Sequence, residues 1–198
     1  TWDLRYANTS PLSENTSTEK YSGMPVLPGD YTVELQKVDD GTVSDLAGPV
    51  KFTAKVLNNT SLPAEKRSDL VAMQNKAFNL NRVIEGTNQY LRNADEQIGK
   101  LENTIINYGN SNLNSLKELE DTKTTIYEVK KVLNGNSTLQ KYSEAFEPGL
   151  NERLGNLLYG FWYSTSSPTK THLNTISLIE SEFNQLEQKL VKIDNTID

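Results

Sequence analysis

The chain has no cysteine. That excludes disulfides, a thiolate nucleophile and Cys-ligated zinc, and leaves the redox compartment open. It has one histidine, His172, so an imidazole-rich metal site cannot be assembled. No apolar run approaches the roughly 20 residues of a membrane-spanning helix. Positive charge is not in excess either: 20 Lys/Arg stand against 26 Asp/Glu, a net charge of −6. Neither half of the chain carries a basic stripe, which argues against nucleic acid or an anionic membrane surface as partner. A Gly-rich phosphate loop, a dinucleotide fingerprint and a Gly-x-Ser-x-Gly elbow are all missing, as is any repeat of solenoid length. No cofactor is therefore expected.

One pattern dominates what is there. Leu70, Met73, Ala77, Leu80, Ile84, Thr87, Leu91, Ala94, Ile98, Leu101, Ile105 and Tyr108 follow one another at alternating steps of three and four. That spacing holds one stripe of a helix against a partner along its whole length. It predicts a helix over about 63–108, capped by Thr60 or Ser61, with Pro63 and Glu65 in the first turn and Gly109 just past the end. A second stripe, Leu116, Leu119, Thr122, Ile126, Val129 and Leu133, predicts a helix over 112–134 ended by Gly135. Residues 136–148 read as a polar loop and 150–163 as a short helix dense in large side chains. Ser167 as cap and Pro168 as first residue open a helix over 168–197, with its stripe at Ile176, Ile179, Phe183, Leu186, Leu190, Ile193 and Ile197. Three compatible stripes in one chain favour an internal up-down-up helical bundle over an intermolecular coiled coil. A stripe left open would offer a second copy a docking face, giving a homo-oligomer.

Residues 1–60 read differently. Trp2, Leu4 and Tyr6 alternate with Asp3 and Arg5 as in a half-buried strand. Residues 7–24 read as a loop. Tyr31, Val33 and Leu35 alternate with Thr32, Glu34 and Gln36, and Asp39-Asp40-Gly41 is a hairpin turn signal. Residues 42–46 and 50–57 complete four short strands, the last two divided by Gly48-Pro49. The expected class is α+β: a small antiparallel, incomplete immunoglobulin-like module over 1–60, then the helical bundle over 61–198. Four strands are too few for a full sandwich. The chain opens on strand-like residues without Met or leader, and is expected to be a fragment of a longer polypeptide.

Candidate chemistry is sparse. His172, one step before Ile176 on its stripe, lacks a nucleophile, a nearby carboxylate or further ligands, and reads as structural. Glu118, Glu120, Asp121, Glu180 and Glu182 are carboxylates of the kind glycoside hydrolysis uses in pairs, but they fall on or beside exposed helix faces. Tyr159, Phe161, Trp162 and Tyr163 have two readings. They plug one end of the bundle, the preferred one, or Tyr159, Trp162 and Tyr163 form a surface for a carbohydrate or protein partner.

Several short motifs resemble a known family. Thr1-Trp2-Asp3-Leu4-Arg5-Tyr6, Val26-Leu27-Pro28-Gly29-Asp30-Tyr31-Thr32-Val33-Glu34-Leu35 and Gly48-Pro49-Val50 look like the C-terminal portion of bacterial sortilin-type β-propeller proteins, often labelled glycosyl hydrolases with BNR (Asp-box) repeats. Leu62-Pro63-Ala64-Glu65, Asn151-Glu152-Arg153-Leu154, Tyr159-Gly160-Phe161-Trp162-Tyr163-Ser164-Thr165-Ser166 and Pro168-Thr169 are similar to its helical tail. The resemblance implies an exported bacterial protein, periplasmic, cell-surface or extracellular, with a β-propeller upstream in the same polypeptide. These 198 residues contain no Asp-box of the Ser-x-Asp-x-Gly-x-x-Trp type, so no catalytic role carries over to any residue. The fragment is expected to be non-catalytic and structural or interaction-based.

Overall fold

The structure is a computed structural model that describes residues 2–6, 23–57, 62–108 and 113–197, without the side chain of Trp162. The expected loop over 7–24 thus falls largely outside the described residues, as do the cap candidates Thr60 and Ser61 and the turn after Tyr108. The fold is α+β: a two-stranded antiparallel sheet followed by a mostly helical region.

Strands β1 (Gly29–Asp39) and β2 (Thr42–Ala54) form one hairpin. Asp40 at φ 46° and Gly41 at φ 78° both take the left-handed backbone of a two-residue primed turn. Two corrections to the expected strands follow. Residues 42–46 and 50–54 are one strand, not two, because the Gly48-Pro49 interruption is absorbed by a register shift between Val33 and Leu35, where proline's missing N–H is tolerated. Gly48 has φ +113°, and a Cβ there would lie 2.9 Å from the Val33 carbonyl oxygen, so the shift requires glycine. Residues 2–6 are not a strand either. Leu4 has φ 58°, which breaks the extension and folds Trp2 back until its indole N–H donates to the Arg5 carbonyl at 2.9 Å. A single bridge, Arg5 with Pro25, remains.

Helix α1 (Arg67–Asn107) is 41 residues long, about 60 Å at 1.5 Å per residue. Antiparallel to it runs α2 (Leu113–Asn134), tied by Lys130 to Asp95 at 2.6 Å and Asn134 to Asn88 at 2.8 Å. Gly135, φ +79°, ends α2. The expected polar loop then holds a short helix, α3 (Ser137–Lys141), because the Asn136 side chain accepts from the Thr138 and Leu139 N–H groups. The chain returns so that Gly149 lies against Gly135, and α4 (Leu150–Tyr163) continues the path of α2.

The last leg is α5 (Lys170–Asn184) and α6 (Glu187–Ile197), where one helix over 168–197 was expected. The Leu186 N–H bonds to the Phe183 carbonyl at 2.9 Å, a tight three-residue turn that interrupts the helix while keeping Phe183, Leu186 and Leu190 on one stripe. This leg runs parallel to α1, as the pairs Lys76–Glu180 and Tyr90–Asp194 show. Its start also differs: Thr169, not Ser167, caps α5. Ser167 instead accepts from the Glu65 N–H at 3.2 Å, and Ala64 N–H reaches Thr165 at 3.3 Å. Those bonds hold 64–65 outside α1, which begins at Arg67 rather than near residue 63. The core is the three stripes: Leu70, Ile84, Leu91 and Ile98 from α1, Ile126, Val129 and Leu133 from α2, and Ile176, Ile179 and Ile193 from the third leg are buried together.

Candidate binding surface

Helix α4 divides the aromatic cluster by its own geometry. Residues 150, 154, 157 and 161 fall on one face, and Leu150, Leu154, Leu157 and Phe161 are buried there. Tyr159 and Tyr163 stand one turn apart on another face, 68% and 72% exposed, with ring centroids 4.7 Å apart at 52°. The preferred plug reading is therefore corrected for these two residues: Phe161 fills the core and the tyrosines do not.

His172 has a structural job. Its N–H donates to the Thr169 hydroxyl at 3.2 Å, and its Nδ1 accepts from the Thr169 N–H at 3.4 Å, a reciprocal cap for α5. Its ring also meets Phe161 edge-on, centroids 5.3 Å apart.

The carboxylates do not converge. Glu118, Glu120 and Asp121 are exposed on α2. Glu180 pairs with Lys76 at 2.8 Å. Glu182 accepts both ends of the Arg153 guanidinium, Nη1 at 2.8 Å and Nη2. Asp39, Asp40 and Gly41 form the hairpin turn. Among the described residues, no group of three or more His, Asp or Glu is placed to hold a metal ion.

Electrostatics point the same way. Hydrogen bonds from Arg153 hold the Glu182 carboxyl below the usual carboxylate range, against the opposing effect of burial. Lys189 does the same to Glu128. Hydrogen bonding to Glu102 raises Lys123, and hydrogen bonding to Glu182 raises Arg153. Each shift locks in the charged form.

The sequence reading missed the hairpin as a surface. The alternation of Tyr31, Val33 and Leu35 left open whether helices cover the sheet's apolar face, and Val33, Leu35 and Val50 are each more than half exposed. The available signal was length: strands of 11 and 13 residues have an apolar face larger than residues 2–6 can cover. Among the described residues, no helix is long and apolar enough to cross a membrane. No family model matches the chain, and no curated protein or solved structure matches it. The likeness to sortilin-type proteins rests on the short motifs alone.

Proposed function

We propose that the chain is a non-catalytic interaction region at the C-terminal side of a larger exported bacterial propeller protein of the sortilin/BNR type, with an immunoglobulin-like element built around the hairpin. The observation that carries this reading is the hairpin itself: a long ribbon held by its own ladder, with Val33, Leu35 and Val50 on its surface more than half exposed. Two-stranded ribbons are marginal in water and gain stability from a covering layer. The partner is the upstream propeller region of the same polypeptide, and the helices are the mount.

The test is hydrogen exchange on these 198 residues, alone and within the longer polypeptide read from the gene. Slowed exchange over any contiguous surface of the chain is the expected result. Identical exchange in both forms overturns the reading, as does turnover of glycan or peptide substrates by the isolated chain. A second reading, a carbohydrate- or protein-binding module, is favoured by the exposure of Tyr159 and Tyr163 beside Trp162. Replacing both tyrosines with alanine should abolish glycan retention by that module, and unchanged retention removes it.

A further inference from the structure

The hairpin meets the helices at its root, residues 23–28. Met24 is buried in the same core as Leu70 and Phe161. Beside it the root, the first turns of α1 and the end of α4 surround a cavity of about 40 Å³. Most of its walls are apolar, Pro25, Leu27, Leu70 and Phe161 among them. Gln74 of α1 also lines it, and that residue is only 4% exposed.

Gln74 differs from the other buried polar residues. Thr122 donates to the Glu118 carbonyl at 2.8 Å and Thr125 to the Asp121 carbonyl at 2.9 Å, so each is satisfied within its own helix. A glutamine amide carries two N–H donors and a carbonyl with two lone pairs. Among the described residues, none hydrogen-bonds to the Gln74 side chain. Nor is the amide sealed off: the described side-chain atom with neither partner nor access is Arg153 Nε, not an atom of Gln74. An amide buried with nothing to bond weighs against the folded state by roughly 5- to 150-fold. Methionine fills the same length without that penalty.

Size selects the occupant. Pockets for small molecules run to roughly 300–1,000 Å³, and this cavity is far below that range. One water molecule needs roughly 10–15 Å³ of such space and about two to four polar partners. Gln74 supplies partners on one side. On the other, Pro25 and Pro28 line the cavity and lack an N–H, so their backbone offers carbonyls alone, while Arg67 brings N–H donors. We propose that the cavity is an internal water site, in which bound water takes the Gln74 amide and the backbone of the root together and so ties the hairpin to α1. Water-mediated bonds of this kind are nearly as good as direct ones. The tie does not depend on what covers the hairpin, so it neither needs nor tests the functional reading above.

Water-selective NMR on the 198-residue chain is the experiment. The Gln74 side-chain amide protons and the Leu70 methyl protons, which cannot exchange, should both show cross-peaks to water. Those peaks should have opposite signs in NOE and ROE spectra, the mark of water held far longer than at a surface. Peaks of one sign in both spectra, or no peaks, overturn the site. Gln74→Met keeps the length and removes the amide. In that variant the Leu70 peaks should vanish. Hydrogen exchange should also quicken about ten-fold at the root's Val26 N–H, which bonds to the Leu4 carbonyl at 2.9 Å, while Val129 in α2 stays within about two-fold. Leu70 peaks that survive the substitution, or exchange at Val26 that does not change, overturn the tie. The spectra of the parent chain decide the site even where the variant does not fold.

Discussion

Changing Gly149 to alanine tests the joint between α2 and α4. A Cβ built on Gly149 lies 2.4 Å from the Gly135 nitrogen, 2.6 Å from the Asn134 carbonyl carbon and 2.6 Å from the Leu133 carbonyl oxygen. All three are backbone atoms, so no side chain can swing aside. Relief requires the end of α2 and the start of α4 to separate by about an ångström at a level where Leu133 and Leu150 are fully buried. Overpacking of this kind costs about 1–3 kcal/mol. In a chain of this length that lowers Tm by roughly 2–4 °C per kcal/mol, so a fall of about 2–12 °C is expected. Gly155→Ala is the control. Gly155 is exposed on α4, with nothing within 4 Å of its would-be Cβ, and alanine there should stabilise the chain by about 0.5–1 kcal/mol through helix propensity. The same substitution six residues apart thus carries opposite signs. Thermal and urea unfolding followed by circular dichroism at 222 nm decides it. A Gly149→Ala chain as stable as the parent, or both variants moving in one direction, refutes the close approach.

Leu91 and Leu101 share the α1 stripe, but Leu91 is fully buried and Leu101 is 38% exposed. Leu91→Ala should cost about 2–5 kcal/mol and Leu101→Ala about 1 kcal/mol or less, measured by urea unfolding, with equal losses contradicting the packing described. Glu182→Gln addresses the Arg153 pair. The folded carboxyl is held below its unfolded value of about 4.3, so its contribution is complete above that pH and is lost as pH falls through the lower folded value. Both partners keep substantial solvent access, so the variant should be less stable by no more than about 1 kcal/mol at pH 7. The gap should close on acidification below pH 4, and a gap that widens there contradicts the assignment.

The helical half was legible because a three-four stripe is a direct image of burial. Leu70, Met73, Ala77, Leu80, Ile84, Leu91, Ala94 and Ile98 on α1, Leu119, Ile126, Val129 and Leu133 on α2, and Ile176, Ile179, Leu186 and Ile193 on the last leg are buried where the spacing puts them, with Thr87, Phe183 and Leu190 half-buried between them. The stripe was silent about helix ends, which depend on bonds between distant residues, such as Glu65 to Ser167. It was silent also about the turn at Leu186, since a tight turn that preserves the stripe leaves no trace in apolar spacing. The β half was less legible. Alternation predicted a strand at Trp2 and a break at Gly48-Pro49, while a left-handed Leu4 ended the one and a register shift carried a single strand through the other. In the aromatic cluster, composition could not say which rings turn inward. Helical phase, counted from Leu150 and Leu154, places Phe161 inside and Tyr159 outside.

The two interruptions have a mechanical meaning. The joint after α2 sits beside Asn88 of α1, since Asn134 bonds to it. The pairs Lys76–Glu180 and Tyr90–Asp194 keep a constant offset, which sets the turn at Gln185 beside Asn81. Both gaps therefore fall within about two helical turns of each other along the rod, and at that level only α1 is unbroken. It carries Gly86 there, with no neighbour against its α-carbon face. Of the three legs only α1 crosses that span without a break, so it alone carries unbroken helical hydrogen bonding from one end of the rod to the other, like a splint crossing a fracture.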